Sequence, residues 1–146
     1  MQKLKSLLRR YAEDPHRAAR WWIGERPAAD TGEIWKEIAG YIGYPSLPVY
    51  LGGGLTSLRL SQAAHVLAVA GTTSLAYDKW SPTAADVLQA EDALGEFDAG
   101  ATFLSNGLWE AGPSSSWDPL TNATFDCGVI GYNDRNAFVF WIEEED

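Results

Sequence analysis

The sequence predicts an α+β fold, a helical N-terminal half followed by a small antiparallel sheet with a C-terminal β-hairpin. Three observations carry this. Apolar residues recur at spacings of three and four through much of the first 95 positions, with Gly and Pro between the runs. Two β-branched and aromatic runs, residues 124–132 and 137–142, flank the polar stretch Asn133-Asp134-Arg135-Asn136. Finally, 46% of the 146 residues are hydrophobic and seven are Trp, a composition suited to a packed core and not to disorder. A chain of this length is read as one domain, 1–146, able to bury roughly 70% of its unfolded surface. Within it, a basic helical segment, 1–43, is expected to pack on an acidic α+β body, 44–146.

The elements follow in order. Leu4, Leu7, Leu8, Tyr11 and Ala12 form an apolar stripe within a helix expected over residues 2–23, broken at Asp14-Pro15. Asp14 then caps a second helix, 15–23, which Gly24 ends. Asp30 or Thr31 caps a third, with Ile34, Trp35, Ile38, Tyr41 and Ile42 as its buried stripe. Two prolines make 45–51 extended, and Gly52-Gly53-Gly54 a turn. Ser57 or Ser61 caps an apolar helix running to about Ala70 and stopped by Gly71. Ser81-Pro82 opens a helix whose buried face is Val87, Leu88, Ala90, Leu94 and Phe97. Residues 101–104 form a short strand, and 105–120 a Gly/Ser/Pro-rich loop. In the last strand Phe138, Phe140 and Ile142 share one face while Ala137, Val139 and Trp141 share the other. Both faces are apolar, so the strand is expected to be covered on both sides.

Charge is strongly polarised. Residues 1–36 hold eight Lys/Arg against five Asp/Glu, net +3; residues 37–146 hold three against fifteen, net −12, giving −9 for the chain. Between residues 80 and 134 there is no Lys or Arg, but there are nine acids. A nucleic-acid binder concentrates cations, so direct nucleic-acid binding is not expected. A basic protein surface is the natural partner for such a balance, although acids also serve simply to keep a Trp-rich protein soluble. The lone cysteine, Cys127, excludes an intrachain disulfide and suits a reducing cytoplasm. Charges interrupt the basic N-terminal stretch too soon for a signal peptide. The longest apolar tract, 63–70, is far short of the ~20 residues that span a bilayer.

No motif identifies a reaction, and no cofactor, metal or catalytic residue is expected. His16 and His65 have no carboxylates at ligand spacing; His65 reads as a core histidine and His16 as exposed. Cys127 follows Asp126, which disfavours a thiolate. There is no Gly-x-Ser-x-Gly, and the 52–54 glycines lack the Lys-Ser/Thr of a phosphate loop. Asn122-Ala123-Thr124 matches a glycosylation sequon, meaningful only after secretion. Partner-binding candidates are the acidic run Asp86, Glu91, Asp92, Glu96 and Asp98, the loop residues Trp109, Glu110, Trp117 and Asp118, and the tail carboxylates Glu143, Glu144 and Glu145. Loop tryptophans beside acids have the composition of an interface hot spot; the alternative is that they fold back over the sheet as a lid.

On the run 86–98, the Trp109/Trp117 loop and the 143–146 tail, the chain resembles the immunity proteins that neutralise bacterial toxins and the phage-encoded inhibitors of host defence. The likeness is one of charge and size, and it implies a non-enzymatic, cytoplasmic bacterial protein that covers a cationic cleft. Two other classes compete. One is an enzyme of unseen type: Thr72-Thr73-Ser74 followed by Glu143 and Glu145 distantly resembles mono-ADP-ribosyltransferases, although the stretch Val49-Tyr50-Leu51 lacks the Arg or His those enzymes use to hold NAD. The other is an assembly subunit that pairs through the C-terminal hairpin.

Overall fold

The hairpin forms as expected and becomes the centre of the molecule. In the computed structural model, which describes residues 1–15, 17–28, 33–47, 55–77, 80–97, 100–110 and 116–145, the two strands run without a break from Phe125 to Tyr132 and from Asn136 to Glu144. The turn between them closes tightly: Asn133 N donates to Asn136 O at 3.0 Å, and the Asn133 side chain accepts from Arg135 N and Asn136 N.

In chain order the elements are α1 (Gln2–Tyr11), β1 (Ala18–Glu25), α2 (Ile34–Gly40), β2 (Thr56–Leu58), α3 (Leu60–Thr72), α4 (Ala84–Leu94) with a 3-10 turn (Gly95–Phe97), β3 (Thr102–Ser105), β4 (Phe125–Tyr132) and β5 (Asn136–Glu144). The fold is α+β, with one five-stranded antiparallel sheet in the order β1-β5-β4-β3-β2.

Strand alternation sorts the core into two layers. On one face Cys127, Val129, Phe138, Phe140 and Ile142 meet Leu4, Leu7 and Leu8 of α1, the apolar α3, and Ala90 and Leu94 of α4. On the other, Ile130, Ala137, Val139 and Trp141 meet Ile34, Trp35 and Ile38 of α2, with Tyr44 and Leu120. All six alternating residues of β5 from 137 to 142 are fully buried, so both faces are covered as their composition requires. Burial also pushes the Cys127 thiol up, with Asp126 acting in the same direction, and leaves it a packing residue.

The largest departure from expectation lies at residues 15–23. They are not a second helix: Ala18–Glu25 pairs along its whole length with Asn136–Glu143. Ala19, Trp21 and Ile23 face the α1/α3/α4 layer, while Trp22 faces the α2 layer. The Trp-Trp-Ile triplet suits a pleated surface, and eight residue pairings with β5 outweigh local helical spacing. Segment 1–43 is therefore not a helical unit docked on the body, since one of its elements is a strand of the common sheet. Gly24 lies within that strand, and Gly71 lies within α3, where it lets the Tyr11 ring approach.

Smaller differences concern helix ends. Residues 56–58 form β2, so Arg59 precedes α3 and its amide donates to Gln62 Oε1 at 2.9 Å. Thr83, not Ser81, caps α4, accepting from Asp86 N at 3.1 Å. Leu88 is 66% exposed, and Tyr41 lies beyond the end of α2 with its ring 4.5 Å from Trp22. The expected cap at Asp30 or Thr31, the 48–51 stretch, the 52–54 turn, His16, Asp98 and Asp146 lie outside the described residues.

Trp141 packs against Gly128, and a Cβ there would fall 2.1 Å from Phe140 O and 2.4 Å from the Trp141 ring. Gly128→Ala is expected to cost about 1–3 kcal/mol, the usual penalty for overpacking, or more because the obstruction is partly backbone. Urea unfolding measures it directly.

Candidate functional site

The twelve residues singled out from sequence fall into three groups, and the first is partly offset within the chain. The basic helix α1 lies against acidic α4. Lys3 Nζ reaches Asp92 at 3.2 Å, and Leu4 N donates to Glu96 Oε1 at 2.8 Å. Asp86, half-buried in the first turn of α4, sits near enough to Tyr11 to raise its pKa. Glu91 is half-buried on the same helix. Asp92 and Glu96 therefore meet the positive N-terminal segment. The Lys3–Asp92 pair is over 60% exposed on both sides and so contributes little to stability.

The tail carboxylates form the second group, and each is an internal acceptor. Glu143 accepts from Tyr44 Oη at 2.5 Å. Glu144 is buried and accepts from Ser74 Oγ at 2.7 Å, Ala76 N at 2.9 Å and Leu75 N at 3.2 Å, holding the turn after α3. Glu145 accepts from Thr124 N and from the Thr124 hydroxyl. Glu144, 8% exposed, is committed to the turn after α3. Arg17, Thr72, Thr73, Ser74, Glu144 and Glu145 do line one 360 Å³ pocket. Its groups are already engaged, however: the Arg17 guanidinium donates to the carbonyls of Ala70, Gly71 and Thr73 and pairs with Asp14, closing the C-terminal end of α3.

The third group is the loop after β3, and here the structure gathers what the sequence leaves scattered. Trp109, Glu110, Trp117 and Asp118 line a single pocket of 310 Å³, together with Thr56 of β2 and Asn106, Gly107, Leu108 and Ser116. A bridge between Gly107 and Trp117 brings the two limbs of the loop together, and a Cβ at Gly107 would lie 2.8 Å from Ser116 O. Glu110, Asp118 and Leu108 are exposed at this site. Lys and Arg are absent from the described lining residues, and the sequence places none in residues 111–115.

Trp109 is not an exposed anchor, being 2% exposed within an aromatic stack. Its ring lies 5.0 Å from Trp117, which in turn lies 5.4 Å from Phe125, and Trp80 stands edge-on to both tryptophans. The tryptophans fold back as a lid over the sheet. Trp117, half-buried and sandwiched between two rings, forms part of the pocket wall. Trp80 and Trp109 both hold left-handed backbone, at φ 58° and 53°. A bulky residue at positive φ costs about 1–3 kcal/mol, and such strain collects at ligand sites.

What holds the pocket is a network that sequence inspection missed. Asp126 is fully buried, yet its carboxylate accepts from Trp141 Nε1 (2.9 Å), Asn106 Nδ2 (3.0 Å), Leu120 N (3.1 Å), Thr121 N (3.3 Å) and Thr121 Oγ1 (3.3 Å). Burial pushes its carboxyl up, while the bonds from Trp141, Leu120 and Thr121 pull it back. Asn106 extends the network, donating to Asp118 O at 2.8 Å and accepting from Trp109 Nε1 at 3.0 Å. His65 Nε2 lies 2.8 Å from Trp109 O, and since a carbonyl can only accept, this nitrogen carries the proton. The signal for Asp126 was a lone acid in a strand apolar on both faces; for His65, a polar residue on an apolar helix.

Comparisons with family models, with curated proteins and with solved structures give no match. Among the described residues, no group of His, Cys, Asp and Glu has the arrangement of a metal site. No described helix is long and apolar enough to cross a membrane.

Two buried phenols give the fold an alkaline limit. Burial, reinforced by Asp86, raises Tyr11 to about 12 from its ordinary 10, with Arg10 and Arg17 opposing. Burial and the hydrogen bond to Glu143 raise Tyr44 in the same direction. Both stay protonated when folded but ionise near the ordinary value when unfolded, so their stabilisation is complete below about pH 10 and is lost as pH climbs further. In an alkaline titration read by tyrosinate absorbance, both are expected to ionise only as the chain unfolds. Tyr11→Phe should make the loss of stability above about pH 10 shallower.

Proposed function

We propose that the protein is a non-enzymatic binder of a basic protein surface, of the immunity or inhibitor type, acting in the cytoplasm, with the loop pocket as its point of contact. One observation supports this above the rest: Glu110 and Asp118 flank a 310 Å³ concavity walled by Trp109 and Trp117, with no cation in the described lining. The chemistry suits an inserted Lys or Arg side chain. The carboxylates accept from the cationic head, and Leu108 and the indole edges cover its aliphatic stem. Strained tryptophan backbone at the same place agrees with a preorganised site. The acids of α4 contribute a longer-range field, already partly offset by α1, that steers encounter.

A test uses an Arg-rich peptide, titrated by tryptophan fluorescence at two salt concentrations. Glu110→Lys combined with Asp118→Lys is expected to raise Kd by about tenfold or more, equivalent to about 1.4 kcal/mol. Asp92→Lys should change it by less than about threefold, since an exposed, already paired charge adds little. Equal effects from the pocket and α4 reversals would move the contact to α4. No effect from either removes the electrostatic reading.

A further inference from the structure

We propose that β1 pairs antiparallel with β1 of a second copy of this chain, joining two five-stranded sheets into one of ten strands. Among the described residues, sheet order leaves two edges, β1 and β2, and places the hairpin, the expected pairing element, in the interior. The edges differ. β2 has three residues, the short form in which natural sheets blunt an edge. β1 has eight, contains no Pro, and is paired with β5 in unbroken register.

The backbone direction follows from one bond. Arg26 N donates to Arg135 O, in register with the β1–β5 ladder, so even-numbered residues of β1 face β5. The amides and carbonyls of Ala19, Trp21, Ile23 and Glu25 therefore point outward, and among the described residues no backbone bond from another segment meets them. Glu25 is its one exposed acid, at the C-terminal end of the strand, and the two arginines are engaged elsewhere. Arg20 turns inward to Ile42 O at 3.0 Å and over the Tyr44 ring, and Arg26 turns to Asn133 O and the Tyr132 ring.

A second copy fits this edge because the strand is complementary to itself. A two-fold pair must match outward residues with outward residues on the same sheet face. Centring it on Trp22 uses the entire strand and satisfies this throughout. Trp22 then faces its own counterpart at a close, non-hydrogen-bonded position, and Trp21 faces Ile23 twice. Aromatic–aromatic and aromatic–β-branched pairs are the favourable cross-strand contacts. Each charged residue meets an uncharged one: Arg20 opposite Gly24, Glu25 opposite Ala19 and Arg26 opposite Ala18. Trp21, Trp22 and Ile23 are half-buried within one chain, leaving apolar surface for this contact.

The pairing does not rest on the pocket reading, because the pocket lies at the opposite edge, beside Thr56 of β2. If that reading holds, the dimer carries a pocket at each end of its sheet, nine strand spacings or roughly 43 Å apart, and binds bivalently.

Sedimentation velocity of the full chain, without ligand, tests the proposal. A concentration-dependent monomer–dimer equilibrium is expected; a monomer up to millimolar concentration overturns it. Ala18 is exposed but stands opposite Glu143 in its own sheet, so urea unfolding of each variant is measured beside its dimer constant to separate the effect within one chain from that between chains. Ala18→Glu, opposite Arg26 of the other copy, should tighten the dimer about three- to tenfold, and Ala18→Lys should weaken it similarly, as expected for two cross-strand charge pairs. The double variant Ala18→Cys/Arg26→Cys should cross-link between chains under mild oxidation. A dimer indifferent to both Ala18 charges and refractory to this cross-link contradicts the β1 geometry, whatever the pocket binds.

Discussion

A buried carboxylate governs this architecture. Asp126 sits on β4 with no solvent contact, and its charge is compensated by hydrogen-bond donors from three places: Trp141 on β5, Asn106 just after β3, and the Leu120-Thr121 turn. A charge removed from water is tolerated only when such donors surround it, so each becomes committed to its position. The loop limbs at 106 and 120 are thereby drawn to one point on the sheet. Gly128 follows from the same constraint, because the Trp141 indole needs the space above it to reach Asp126. Trp109, tied to Asn106, is then fixed in left-handed backbone with the pocket beside it.

The charge polarity of the chain acquires a different meaning in three dimensions. Much of it is internal complementarity: basic α1 against acidic α4, Arg17 closing α3, and tail carboxylates serving as acceptors for Tyr44, for the 74–76 turn and for Thr124. Glu110 and Asp118 are exposed where they border the loop pocket. Net charge alone does not locate a binding surface, because folding first pairs the charges it can.

The legible parts of the fold were those decided by local pattern. The α1 stripe, the apolar α3 and the β4–β5 hairpin each repeat their period long enough to be read directly. A helix over 15–23 is what local spacing predicts, but Ala18, Trp21 and Trp22 fit a helical face and a strand alternation alike, and the choice lies with β5, more than a hundred residues away. The site was half legible. Trp109, Glu110, Trp117 and Asp118 stood out by composition, but Asn106, Asp126, His65 and Thr56 join them only through tertiary contacts that no local spacing announces.

Amide hydrogen exchange on Asp126→Asn tests the role of this carboxylate most directly. The substitution keeps the side-chain shape but replaces one acceptor oxygen with a donor amide facing existing donors, leaving buried groups unsatisfied at about 1–3 kcal/mol each. Protection should fall first and furthest at Leu120, Thr121 and the Trp141 indole, and through them around Trp109, before β4 and β5 lose theirs. Uniform loss across the sheet and loop, or full protection retained at 120–121, would contradict a loop held in place by Asp126.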